Sequence, residues 1–93
     1  MVLTASMKQR IRDLATQFGV SEVRLFGSTA RGTARLDSDV DLLVRFERGA
    51  SLITVIGFQQ AVEEALGARV DVVEEAGLSP RLATRILAEA VNL

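Results

Sequence analysis

Between Asp39 and Phe46 the chain reads Asp-Val-Asp-Leu-Leu-Val-Arg-Phe, half alternation and half continuous apolar run. A strand of that pattern begins at a polar entrance and continues into an interior that other elements must cover. The flanking sequence supplies the cover. Ser6 and Gln9 stand at capping-box spacing ahead of Met7, Ile11, Leu14, Ala15 and Phe18, an apolar face of helical period that stops at Gly19. Val20, Val23, Leu25 and Phe26 predict a strand ending at Gly27-Ser28, and Thr29 to Arg35 is compatible with a short helix or a loop. After a turn at Glu47, Arg48 and Gly49, Ser51 caps a second long helix with Leu52, Val55, Phe58, Val62, Ala65 and Leu66 on its apolar side, interrupted by Gly57 and closed by Gly67. Val70, Val72 and Val73 predict a third strand. Ser79 as cap and Pro80 at the first helical position open a last helix bearing Leu82, Ala83, Ile86, Leu87 and Ala90. The order predicts one α/β or α+β domain over residues 1–93, a small central sheet covered by helices.

Composition narrows the chemistry. The chain has 93 residues, 48% of them hydrophobic and 25% charged, with a single proline, which is the profile of a folded domain. Eleven basic against twelve acidic residues leave a net charge of -1, so the overall positive field used by binders of long nucleic acids is missing. The four phenylalanines fall in apolar patterns that predict core positions, not a stacking platform for single strands. No apolar run approaches the roughly 18 to 20 residues that span a bilayer, and the basic start lacks a signal-peptide core, so no membrane partner and a cytoplasmic location are expected. With neither cysteine nor histidine, reactions must run on carboxylates, hydroxyls, arginines and backbone amides.

Asp37, Asp39 and Asp41 alternate with Ser38 and Val40, and on an extended chain residues two apart project from one face. Crowded carboxylates repel one another unless a cation lies between them, and oxygen ligands alone favour magnesium or manganese. Asp71, between Val70 and Val72, brings a carboxylate to the third strand and completes a cluster if that strand lies beside the second. Asp37 is left outside the ligand set as a loop residue. Gly27-Ser28, a tight turn between a strand and a helical start, is a candidate phosphate cradle, with Arg31 and Arg35 near in sequence to add positive charge. A metal held by carboxylates beside such a turn is equipment for phosphoryl or nucleotidyl transfer.

The stretch from Gly27 to Leu42, Gly-Ser-Thr-Ala-Arg-Gly-Thr-Ala-Arg-Leu-Asp-Ser-Asp-Val-Asp-Leu, resembles the signature of minimal nucleotidyltransferases of the DNA polymerase β superfamily: glycine-serine, about ten residues, then two aspartates separated by one residue. The ending Arg85 to Val91 resembles the family's last helix. The resemblance implies a polymerase-β-type fold, a mixed sheet of three or four strands with about four helices. It also implies a nucleoside triphosphate, ATP, bound with Mg2+ or Mn2+. Asp39 and Asp41 would be metal ligands, and Asp71 the third ligand or the base for the acceptor hydroxyl. Gly27, Ser28 and Arg31 would bind the nucleotide. Thr29 departs from the pattern, standing where many relatives carry arginine.

Members of this size are often antitoxins paired with a small helical toxin of the HEPN class, and some inactivate it by transferring AMP from ATP to a tyrosine. The resemblance therefore implies a protein adenylyltransferase in a hetero-oligomer with such a toxin. An antitoxin that only covers its toxin is the alternative. Size points the same way, because 93 residues leave little chain to build an acceptor site as well as a nucleotide site.

Overall fold

The structure, a computed structural model, describes residues 2–32 and 39–93. In chain order it contains α1 (Ala5–Gln17), β1 (Val20–Phe26), α2 (Gly27–Arg31), β2 (Val40–Phe46), α3 (Leu52–Leu66), β3 (Val70–Glu74), a 3-10 turn (Glu75–Gly77), α4 (Pro80–Glu89) and β4 (Val91–Asn92). The strands form one sheet in the order β3-β2-β1-β4. β2 and β3 are parallel, while β1 runs antiparallel to both β2 and β4. This is the expected α+β fold with a mixed sheet.

Alternation along β2 sorts its side chains onto two faces. Val40, Leu42 and Val44 are buried against α1 and α3, where they meet Ile11, Leu14, Phe58, Val62 and Leu66. Six side chains of this layer, those of Ile11, Val40, Leu42, Val44, Phe58 and Val62, are wholly shielded from water, each worth about 1.5–3 kcal/mol of transfer free energy. Asp41, Leu43 and Arg45 point to the opposite face. The strand at the entrance to the interior is therefore central, and its acids sit on the face that the two long helices leave uncovered.

The α1 cap differs from expectation. Thr4, not Ser6, starts the helix, because its hydroxyl accepts the Met7 amide at 3.1 Å and brings in one more half-turn. Ser51 and Ser79 cap α3 and α4 as expected, each accepting the amide three residues on. Gly57 inside α3 has a packing reason. A Cβ there would stand 3.1 Å from Cε1 of Phe18, whose ring meets Phe58 edge-on at 5.9 Å between centroids.

Several predicted apolar positions are not core. Phe26 is half-buried and lies outside the main cluster, because its register partner is Asp41 on the polar face. Leu52 and Ala65 of α3 are exposed, and α4 buries no residue completely although its apolar positions repeat cleanly. Ala90 follows the end of α4, and Val91 belongs to a two-residue strand that only its pairing with Leu25 reveals.

Candidate functional site

The parallel β2–β3 register sets Asp41 directly beside Asp71, so their carboxylates rise from the same face of the sheet. Asp39 immediately precedes β2, two residues from Asp41. Asp41 is half-buried, whereas Asp39 and Asp71 are exposed. Burial is the first cause raising the Asp41 pKa above the ordinary 3.8, and the negative charges of Asp71 and then Asp39 raise it further. Arg31 pulls it back and Glu89 adds to the rise, so these two residues also lie within electrostatic reach.

Gly27 is fitted to Asp41. Phe26 pairs with Asp41 across the β1–β2 ladder, and the chain then turns at Gly27 with a φ of +71°. A Cβ at this position would overlap Oδ2 of Asp41 and stand 3.2 Å from its Cγ. Glycine is thus required both for the backbone conformation and for the approach of the carboxylate. The same residue opens α2, and Phe26 as its N-cap provides no side-chain hydrogen bond there. Ser28 and Thr29 form the first turn, both half-buried. The Thr29 hydroxyl is shut away from solvent and has no hydrogen-bond partner among the described residues. Arg31 ends α2 about half exposed, its Nη1 donating to Oε2 of Glu89 at 3.1 Å.

Of the residues singled out in the sequence, Asp39, Asp41, Asp71, Gly27, Ser28 and Arg31 are brought to this end of the sheet. Asp37, Ser38 and Arg35 lie outside the described residues. Among the described residues no three acidic side chains already meet the geometry of a metal cage. Two adjoining carboxylates with a third close by nevertheless fit a divalent cation, because the mutual repulsion felt at Asp41 is what such an ion relieves. An incomplete protein cage also suits magnesium, which keeps positions for water and phosphate oxygens. Glu89, the partner of Arg31, was not singled out in the sequence. Only the pairing of β4 with β1 brings the end of α4 beside α2, and no short-range pattern announces it.

Comparison with known proteins agrees with this geometry. The sequence profile of the nucleotidyltransferase domain matches residues 7–93. The protein adenylyltransferase MntA of Thermococcus cleftensis is 43% identical over 90 residues, covering 97% of this chain and 87% of the relative. A solved minimal nucleotidyltransferase superposes with a TM-score of 0.89 at 45% identity, over 100% of this chain and 97% of its own. A toxin–antitoxin structure with AMP-PNP shares the fold at 24% identity, with a TM-score of 0.82 over 91% of this chain and 70% of its own. A profile matched along nearly the whole length, and relatives above 40% identity, establish that the chain belongs to the nucleotidyltransferase domain family.

Proposed function

We propose that this nucleotidyltransferase is a protein adenylyltransferase that moves AMP from ATP to a tyrosine hydroxyl of a HEPN-type toxin, acting as its antitoxin in the cytoplasm as the single domain of residues 1–93. The observation that carries the reading is that Asp41, which stands level with Asp71 across the β2–β3 ladder, is fitted closely against the glycine turn at Gly27. The name of the 43% identical relative supports the acceptor class, and the structure with AMP-PNP supports the fold that would carry it.

Asp39 and Asp41 would hold Mg2+, or Mn2+ in its place, with Asp71 as third ligand or as the base that accepts the hydroxyl proton. The cation, when bound, neutralises the carboxylates and draws electron density from the phosphate oxygens. The Gly27-Ser28 turn orients the triphosphate, and Arg31 brings positive charge to it. The acceptor oxygen bonds to the α-phosphorus, the bond from that phosphorus to the bridging oxygen breaks, and pyrophosphate leaves with the electron pair. With no histidine in the chain, a carboxylate is the natural first stop for the proton.

The test is transfer of labelled AMP to the co-expressed toxin, comparing the wild type with Asp39→Asn and Asp41→Asn. Labelling lost in both variants supports the reading, and labelling that survives both removes it. A second reading, neutralisation by occlusion, draws on exposed Leu52, Ile53 and Leu82. It expects both variants to neutralise the toxin fully.

A further inference from the structure

The end of α4 carries a carboxylate where local stability argues against one. Glu89 is the last residue of α4, and the negative end of the helix dipole disfavours an acid there. Its described partner is Arg31, 58 residues away in sequence, which closes the five-residue α2 that Gly27 opens. The chain is built to bring the two together. One residue beyond Glu89, Ala90 leads into β4, where Val91 pairs with Leu25 and Asn92 with Arg24. This short pairing lays the end of α4 alongside the end of β1, from which α2 departs.

We propose that Glu89 is a positioning residue that holds the Arg31 guanidinium in place for the triphosphate, an inference that rests on the nucleotide site proposed above. Free arginine samples many rotamers, and ordering it at the moment of binding reduces affinity. A guanidinium has five N–H donors and Glu89 engages it through Nη1, so a fixed arginine is still equipped to receive phosphate oxygens. The pair lies near the carboxylates because α2, which Arg31 closes, opens at Gly27 against Asp41. An exposed ion pair contributes little to folding, so its removal should be felt in binding and not in stability.

Calorimetric titration of the full chain with ATP and magnesium tests this, with Asp41→Asn as the reference for a lost site. Glu89→Ala should weaken ATP binding about three- to tenfold, with a melting temperature close to wild type. Glu89→Gln keeps an oxygen acceptor for the guanidinium and should stay within about twofold of wild type. In an Arg31→Ala background, Glu89→Ala should cause no further loss. Unchanged or tighter binding in Glu89→Ala, or an equal loss without Arg31, overturns the inference while leaving the nucleotide site standing. A wild type that binds ATP no better than Asp41→Asn refutes the site itself, and the role of Glu89 falls with it.

Discussion

Gly27 and Asp41 share a space that admits no side chain between them: a Cβ at residue 27 would overlap Oδ2 of Asp41. Gly27→Ala must therefore displace the carboxylate or the turn, and it also strains a backbone whose φ is +71°. The expected cost is about 1–3 kcal/mol of stability. Because the displaced group belongs to the proposed metal site, ATP binding should fall as well, and thermal melts with calorimetry check both. A variant that melts and binds like wild type would show that the fit of Gly27 to Asp41 has no consequence.

Asp39→Asn and Asp41→Asn remove charge but little volume, so both should fold. AMP transfer should fall on the order of a hundredfold or more in each, as expected when a charge that organises transition-state electrostatics is lost. Initial rates at saturating ATP and magnesium measure it.

The raised pKa of Asp41 gives a stability signature with a definite sign. Just above pH 3.8 the folded chain keeps a proton that the unfolded chain has released, so stability falls as pH rises through that window. Above the folded pKa the penalty for the charged form is constant, and below 3.8 it vanishes. At neutral pH without divalent ions, Asp41→Asn should therefore melt above wild type, with the gap closing on acidification. Added magnesium should raise the wild-type melting temperature and leave Asp41→Asn nearly unmoved. Melts from pH 3.5 to 7, with and without magnesium, decide the matter.

Elements set by local physics were legible before the fold was seen. Ser51, Ser79 and Pro80 satisfy helix ends within a few residues, and the starts of α3 and α4 lie where they predict. Asp39 and Asp41 were legible together because strand alternation is a two-residue rule, whereas Asp71 was marked only by its valine flanks and the family resemblance, and it takes the parallel register to set it level with Asp41. What escaped depends on distant partners. Phe26 is kept from the core by its place beside Asp41, α4 leaves its apolar positions incompletely buried, and Val91 is a strand only through Leu25. Glu89 could not be read at all, since its meaning comes from Arg31 across the fold.

The relative weight of core and surface charge makes a last prediction. On the acid-bearing face Arg45 joins Glu75 at 3.0 Å and Glu22 at 3.3 Å, and Glu22 also pairs with Arg24. More than half of the Arg45 side chain is exposed, so water screens these pairs and Arg45→Ala should cost no more than about 1 kcal/mol, less at high salt. Phe58 has no exposed surface and packs its ring against Phe18 beneath the sheet. Phe58→Ala removes that burial and leaves a cavity, for about 3–5 kcal/mol. A small domain has about 5–15 kcal/mol in total, so the second change should bring the chain near its unfolding threshold while the first is barely seen. Urea unfolding of both variants measures the contrast. A loss at Arg45 equal to that at Phe58 would mean that the charge network, and not the layer between sheet and helices, holds the acid-bearing face in place.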